Sequence, residues 1–439
     1  METCAEKNIR LPQINSVAPS SLCEARQKLP ETIFLTLNEK LIALWHEHRA
    51  TPLWHGHRVF AIDGSKINAP RGLLNAGYKT AKNTTRHYPY AMMSCMYNLQ
   101  EQMVYDVELV SHGDERSCAL AHLTRLSEGD LVIFDRGYFS YLMLYRTIEL
   151  NLHAVFRMQG GTGNGKVAEF WKSAEEDILI EYEPSTTVKY ELKKRGHALH
   201  FKPLKIRLVK HRIGDEMYVY GTTLINSSNY PVECFPALYH GRWGIEELYK
   251  ISKNFIEVED FHSQTERGVK QEIYGHVLLI NIARLFETDA RNGLLPQRQS
   301  NDSQKTNENR ATPMPSTVEP SHPFKINFKN CLSVVGRHLE NLILAPRQLI
   351  TNWLHQAMNS ISKRRQRVRP GRSYPRISFK PRPRWNSFGA TARAYRMTLI
   401  GLMHRRSGTT AIFILLTTSA VTNVISTLLG CLSLKRHYA

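Results

Sequence analysis

Three acids, together with a Tyr, an Arg and a Lys suited to stacking or to phosphate, stand out by type and spacing. In the stretch YHGRWGIEELYKISK (239–253), Tyr239, Arg242, Glu246 and Lys253 follow one another at three, four and seven positions. At about 100° per residue these fall on one broad face of a helix. Arg offers a planar fork to phosphate oxygens and Lys a point charge, with the Glu246 carboxylate between them. Asp63 and Asp135 each close an apolar run and are followed within two residues by Gly, in IDGS and FDRGYF. Carboxylates at the ends of neighbouring central strands converge at one edge of a sheet, and such pairs hold Mg²⁺, which takes carboxylate oxygens, water and substrate phosphate. Each feature also has a plainer reading. Strand-end Asp residues commonly serve as turn or cap residues, and a helix rich in Glu, Arg and Lys is commonly a salt-bridged surface helix. The two Asp residues acquire chemistry only if Glu246 reaches them from a facing helix.

The elements that must position these residues alternate. A helix is expected over 31–50, with Phe34, Leu37, Leu41 and Leu44 on one face, then a buried strand in RVFAIDGSKI that stops at Asp63-Gly64. Residues 90–110 read as two strands around a polar turn at Asn98 to Gln102. A helix over 116–127 leads to the run DLVIFDRGYFS, and a helix over 139–150 to a strand over 153–158. This order implies a mixed sheet covered by helices. From 160 to 232 the pattern becomes period-2 alternation, as in DILIEYE and PLKIRLVKHRI, which predicts a β-rich insertion subdomain; helices are expected again over 235–254, 266–288 and 331–361. The expected division is an N-terminal helical segment (1–55), a core in two parts (56–159 and 233–292) around the insertion (160–232), a polar, Pro-rich linker (293–323), a C-terminal helical segment (324–362), a basic arm (363–406) and an apolar tail (407–439).

Charge is distributed unevenly. Of 439 residues, 58 are Lys or Arg and 39 Asp or Glu, yet the 99 residues after Glu340 hold 17 Lys/Arg and no acid. The remaining 41 basic residues nearly balance the 39 acids, so the polycationic character belongs to the C-terminal part. Such a segment suits a polyanion, nucleic acid first and an anionic membrane surface second, because each phosphate contact releases counterions. Seven Cys without a C-x-x-C pair argue against zinc fingers and disulfide scaffolds. The first residues, METCAEKNIRLPQINS, contain no apolar run, so a cytoplasmic, nucleoid-associated location is expected. The uncharged stretch 407–434 is long enough to cross a bilayer but rich in Thr and Ser; a membrane span and a poorly packed extension both stand as readings.

The spacing Tyr239, Arg242, Glu246, Lys253 resembles the Y-x2-R-x3-E-x6-K signature of the insertion sequence 4 family of DDE transposases. IDGS at Asp63 and FDRGYF at Asp135 resemble the boxes around that family's first and second catalytic Asp. The acids lie 72 and 111 residues apart, with the β-rich insertion in the second gap, and the likeness covers roughly 55–290. The resemblance implies an α/β fold, a ribonuclease-H-like mixed sheet flanked by helices and interrupted by the insertion. It implies that Asp63, Asp135 and Glu246 are catalytic and bind two divalent metals, Mg²⁺ with Mn²⁺ as a substitute. Two metals suit in-line displacement at phosphorus. Tyr239, Arg242 and Lys253 would then bind phosphates of the cleaved transposon end. The implied partners are double-stranded DNA, as transposon ends and target, and a second copy in a synaptic homodimer; no membrane partner is expected. With 62 residues before Asp63, residues 1–55 would be a shortened DNA-binding region.

Other residues leave two readings each. Trp243 either stacks on a flipped base or packs in the core. Arg136 either contacts phosphate or pairs with a carboxylate. His112, Asp114 and Glu115 in SHGDERS mimic a metal cluster, but acids favour a helix's first turn, and a capped helix start is expected there. Gly160 to Gly165 lack the Lys-Ser/Thr of a phosphate loop and read as a hinge. Lys363, Arg364, Arg365, Arg367 and Arg369 open KRRQRVRPGRSYPR, read as a backbone-contacting DNA arm or a solvated tail. The function expected is cut-and-paste DNA transposition; a metal-dependent nuclease and a catalytically dead DNA-binding remnant are the alternatives.

Overall fold

The computed structural model describes residues 19–80, 88–111, 115–159, 165–214, 216–292, 324–344 and 347–368. Helices α1 (Pro19–Lys28) and α2 (Ile33–His48) come first, and α2 buries Phe34, Leu37, Leu41 and Trp45 along one stripe. Strands β1 (Val59–Asn68), β2 (Tyr90–Asn98), β3 (Met103–Val110), β4 (Leu131–Phe134), β5 (His153–Arg157), β6 (Asp177–Tyr182), β7 (Leu204–Ile213) and β8 (Glu216–Thr222) make one sheet in the order β3-β2-β1-β4-β5-β8-β7-β6. β1, β4 and β5 are parallel; β2 is antiparallel to β1 and β3 antiparallel to β2, so that β1, β2 and β3 form a meander. With α3 (Glu115–Leu123) and α4 (Tyr141–Glu149) covering it, this is the ribonuclease-H-like mixed sheet. β4, the sequence LVIF, is buried throughout, as a central strand covered on both faces must be.

β1 does not stop at Asp63-Gly64. The turn reading fails because β2 supplies antiparallel partners from Asp63↔Cys95 through Asn68↔Tyr90, so the backbone groups beyond Asp63 stay paired after β4 has ended. Within the segment 160–232 the described residues form strands β6, β7 and β8 together with helices α5 (Gly165–Lys172) and α6 (Thr186–Lys194). Its strands extend the main sheet: β8 pairs with β5 through Val155↔Thr222, Phe156↔Gly221 and Arg157↔Tyr220, covering an otherwise open edge.

The helix expected over 235–254 is two helices, α7 (Cys234–His240) and α8 (Trp243–Asn254), with Gly241 and Arg242 between them. α9 (Glu266–Asn292) follows, and the expected helix over 331–361 is α10 (Phe328–Leu344) and α11 (Arg347–Lys363). Two short strands, β9 (Phe324–Ile326) and β10 (Arg365–Arg367), pair antiparallel.

The chain divides into two compact units. Ala50–Lys250 with Phe261–Glu266 hold the sheet. One face of it packs Phe60, Val132, Phe134 and Phe156 under α3 and α4, and the other packs Val59, Ile133, Val155, Phe235 and Tyr239. The second unit contains α1, α2, most of α9, α10, α11 and the small hairpin. Inside it Asn281 donates to Asn38 (2.6 Å) and Arg26 pairs with Glu272 (2.5 Å). The linker 293–323, the basic arm beyond 368 and the tail 407–439 lie outside the described residues. Among the described residues no helix is long and apolar enough to cross a membrane.

Candidate active site

The parallel register decides where the two Asp residues meet. Ala61 faces Ile133 across β1 and β4; carrying that register two residues on sets Asp63 level with Asp135 on strands about 4.8 Å apart. Asp63 sits within β1, where its Oδ1 accepts from its neighbour Gly64 N at 2.9 Å. Asp135 is the residue after β4 and opens a 3-10 turn, Arg136–Tyr138.

α7 and α8 bring the remaining groups to this edge. Tyr239 Oη donates to Asp135 Oδ1 at 3.0 Å, Arg242 Nη2 donates to Glu246 Oε1 at 2.6 Å, and Arg242 Nη1 stands 3.9 Å from Asp63 Oδ2. Arg242 is 6% exposed, its guanidinium lies 5.6 Å from the Tyr239 ring centroid, and its Nε has no hydrogen-bond partner among the described residues. The break after α7 lets this side chain lie among the acids, and Gly244, in the first turn of α8, keeps that turn close to β2: a Cβ there would be 3.2 Å from Tyr97. Tyr249, one turn after Glu246, fixes α8 to the sheet by donating to the carbonyls of Asp63 (2.7 Å) and Met93 (3.2 Å). Nothing in the sequence separated Tyr249 from an ordinary buried aromatic.

Burial sets the electrostatics. It pushes the Asp63 carboxyl up from 3.8 to about 6, assisted by Glu115 and Asp135 and opposed by the Gly64 N–H and Arg242. Burial also raises Tyr239, with the Asp135 carboxylate adding to it. For Arg242 burial works against the charge, but Tyr239, Asp135 and Glu246 together hold the guanidinium above its ordinary value.

The donor set is oxygen-only, hard and carboxylate-rich, which suits Mg²⁺ or Mn²⁺ chemically. In the described conformation, however, no three His, Cys, Asp or Glu side chains among the described residues are grouped so as to hold an ion. Arg242, not a fellow acid, is what Glu246 touches.

The remaining expected residues divide. Lys253 is on the last turn of α8 and belongs to the second unit; burial lowers its pKa and Glu259 raises it. Trp243 is 38% exposed and stacks on His240 at 5.9 Å, so the core-packing reading is corrected: the first position of α8 faces outward. Arg136 is exposed on the 3-10 turn. Lys363 ends α11, and Arg364, Arg365 and Arg367 are exposed, the last two on β10. Arg369 lies outside the described residues.

Comparison with known proteins follows the same lines. The family "Transposase DDE domain" matches residues 54–282. The chain is 24% identical over 276 residues to "Transposase InsG for insertion sequence element IS4" of Escherichia coli (strain K12), an alignment covering 61% of each. It is 26% identical over 161 residues to "Putative transposase y4zB" of Sinorhizobium fredii (strain NBRC 101917 / NGR234), covering 36% of this chain and 43% of that one. The chain thus spans less than two thirds of the length of these relatives. Among solved structures, a piggyBac transposase synaptic complex with hairpin DNA gives a TM-score of 0.32 at 10% identity over 69% of this chain and 53% of that one, too weak an overlap to carry an argument. With more than half of its residues matched by the family, this chain belongs to the DDE transposase domain family.

Proposed function

We propose that the chain is a DNA transposase that cleaves and joins the ends of an insertion sequence through Asp63, Asp135 and Glu246. The observation that carries this reading is the set of contacts from Arg242 to Glu246 and Asp63 and from Tyr239 to Asp135, which ties acids from β1, the end of β4 and α8 to one sheet edge. The three acids would hold Mg²⁺ or Mn²⁺, which supplies activation of an attacking water or 3′-hydroxyl and stabilises the leaving oxygen.

The chain's own residues do the rest. Arg242 neutralises Glu246 and Asp63 until DNA arrives. A phosphate is the better partner for its fork, and engaging one releases the Glu246 carboxylate for the cation. Tyr239 orients Asp135, and Lys253 adds a charge for the backbone of the cleaved end. Tyr249 keeps α8 seated on β1, so that Glu246 and Asp63 stay at one level. The exposed residues Lys363, Arg364, Arg365 and Arg367 support sequence-independent backbone contacts, whose affinity falls with salt. Two copies acting on two ends, in a nucleoid-associated complex, complete this reading.

The test is incubation of the chain with a transposon-end duplex and Mg²⁺ or Mn²⁺, comparing wild type with Asp135→Ala and Glu246→Ala. Cleavage and joined products by wild type alone are expected. Cleavage without joining would make the protein a metal-dependent nuclease. A second reading, a DNA-binding remnant, is favoured by the Arg242–Glu246 contact, which occupies the third acid. Salt-sensitive binding without cleavage by any form would establish it.

A further inference from the structure

The insertion segregates its charge. Between Pro184 and Gly214 nine residues are Lys or Arg and one, Glu191, is an acid, although the first 340 residues as a whole are nearly neutral. Two of the nine are buried with structural partners: Arg207 pairs with both carboxylate oxygens of Asp177 at 2.7 Å, and the Lys210 ammonium donates to the carbonyl of Ser173 at 2.7 Å. Among the described residues, the Arg207–Asp177 contact is the one ion pair these nine make. Lys189, Lys193, Lys194, Arg195 and Lys202 remain on α6 and the segment after it, and all but the partly buried Lys189 are exposed.

Helix polarity explains part of this cluster. Cations favour the last turn of a helix, which accounts for Lys193, Lys194 and Arg195. It accounts neither for Lys202, beyond the helix, nor for Tyr190, which is 64% exposed amid these charges. At about 100° per residue Thr186, Tyr190, Lys193 and Lys194 share the face of α6 turned away from Leu192, and Leu192 is buried in the same core as Val132 and Phe156. The surface is firmly anchored. Tyr141, six residues beyond Asp135, holds both backbone groups of Lys202: its hydroxyl donates to the Lys202 carbonyl at 2.8 Å and accepts from the Lys202 N–H at 3.0 Å. Phe139 packs on Tyr182, the last residue of β6, with ring centroids 5.2 Å apart. The basic surface is therefore fixed to the segment that leads out of Asp135.

We propose that α6 and the segment after it to Lys202 form a DNA-backbone surface, in which Lys193, Lys194, Arg195 and Lys202 meet phosphates and the Tyr190 hydroxyl meets the sugar-phosphate chain between them. Cations without carboxylate partners gain most from a polyanion, since each phosphate contact releases counterions. Tyr hydroxyls are among the groups that make sugar and phosphate contacts. A membrane is the poorer partner, because an interfacial helix buries its apolar face in lipid, whereas α6 turns Leu192 into the core. The inference rests on the proposed reading of the chain as a DNA-acting enzyme. It adds a surface, separate from the basic residues after 340, that holds duplex where the Asp135 segment is anchored.

The experiment measures binding of the full chain to a fluorescein-labelled DNA duplex of arbitrary sequence, by fluorescence anisotropy over a range of salt and without divalent cations. Acylation of lysine amines with and without the duplex, read by mass spectrometry, locates the contact. The triple variant Lys193→Gln, Lys194→Gln, Arg195→Gln is expected to weaken binding by about tenfold or more and to flatten the slope of log affinity against log salt by about two to three. Its melting temperature should match wild type, because all three side chains are exposed. Should the triple variant not fold, Lys194→Gln is read in its place, with a slope change of about one. Tyr190→Ala should weaken binding by about threefold to tenfold, the loss of one hydrogen bond, at an unaltered slope. The charge-keeping exchange Lys193→Arg, Lys194→Arg, Arg195→Lys should bind as wild type does, and in wild type Lys193 and Lys194 should lose reactivity when duplex is bound. Wild-type affinity and slope in the triple variant overturn the inference, as does weaker binding while Lys193 and Lys194 stay reactive in the wild-type complex. Loss of binding to phosphatidylserine vesicles with DNA binding intact also overturns it and assigns the surface to a membrane. Each of these results leaves the proposed function standing if wild type cleaves transposon ends. Weakened DNA binding in the triple variant, with no cleavage by any form, overturns the proposed function and leaves this surface in place.

Discussion

Asp106, His122 and Ser94 form a hydrogen-bonded chain in the same unit as the acidic edge, and the two clusters handle charge in opposite ways. His122 Nδ1 is 2.8 Å from Asp106 Oδ2 and its Nε2 is 3.1 Å from Ser94 Oγ, with Arg125 Nε on the same carboxylate at 2.9 Å. On residue types alone this is a nucleophile, a base and an orienting acid. Yet Ser94 and His122 are 0% exposed and Asp106 3%, so no substrate reaches the hydroxyl, and every member has a partner. The acidic edge has the opposite character: Asp63 carries a raised pKa, and among the described residues Arg242 Nε and the Tyr138 hydroxyl have no hydrogen-bond partner. A satisfied, sealed network contributes stability and uniqueness, whereas an unsatisfied, partly open one is poised for a ligand. Constellation alone does not distinguish them; exposure and unmet polar valence do.

The contrast can be broken by substitution, beginning with the largest effect. Asp135→Asn is expected to reduce end cleavage by about a thousandfold or more, about 4 kcal/mol of barrier, with little change in melting temperature; a mild loss in single-turnover cleavage would remove Asp135 from the chemistry. His122→Ala should act on stability instead, costing about 3 kcal/mol in denaturant unfolding, because it opens a cavity in a sealed site and takes one partner from the buried Asp106 carboxylate and one from the buried Ser94 hydroxyl. A near-neutral result would show that the sealed network is not a stabilising one.

Asp63→Asn sharpens the difference through pH. Burial keeps Asp63 protonated in the folded chain up to about pH 6, while its ordinary value is 3.8. Between these values the folded state binds more protons, so this group's effect on cation-free stability declines as pH rises from about 4 to 6 and stays low above that. Asp63→Asn removes the loss and should raise stability at pH 7 by about 2 kcal/mol, allowing for its partial exposure, with no difference below pH 4. Equal pH profiles in thermal melts would contradict the raised pKa. Tyr249→Phe should cost about 1 kcal/mol and lower cleavage by about tenfold, since Asp63 loses the hydroxyl that holds its carbonyl; unaltered cleavage would confine Tyr249 to packing. Smallest of all, Ser94→Ala should cost about 1 kcal/mol or less and leave cleavage intact, and any large loss of cleavage would reopen the triad as a site.

Much of the sheet was legible because its strands are long apolar runs with turn residues between them. YAMMSCMYN and MVYDVELV became β2 and β3, with the turn at Asn98 to Gln102 where polarity placed it. Misreadings cluster where pairing or packing overrides local signals. The Gly after Asp63 looks like a strand end, but β2 carries β1 on to Asn68. The continuous helical pattern through 235–254 hides a break at Gly241 and Arg242, where a Cβ on Gly241 would come 3.1 Å from the Leu238 carbonyl oxygen. The alternation from 160 to 232 predicts strands without saying which sheet they join. At the site, residue types and spacing singled out Asp63, Asp135, Tyr239, Arg242 and Glu246, which the fold brings to one edge. Tyr138 read as part of a strand-end box, since nothing local reveals a hydroxyl that will be buried with no partner among the described residues.

By itself the sequence determined the identities of the acids, their places at the ends of apolar runs, the helical spacing of Arg242 and Glu246, and the concentration of positive charge after residue 340. These are properties of neighbouring residues, and the periods of strand and helix carry them. Only the tertiary structure decided that β1 and β4 lie parallel in a register that levels Asp63 with Asp135, that Arg242 is buried against Glu246 and near Asp63, and that the Tyr138 hydroxyl is buried with no hydrogen-bond partner among the described residues. Register, desolvation and unmet hydrogen bonds arise from contacts between residues far apart in the chain, and such contacts exist only once the sheet and its covering helices have closed around them.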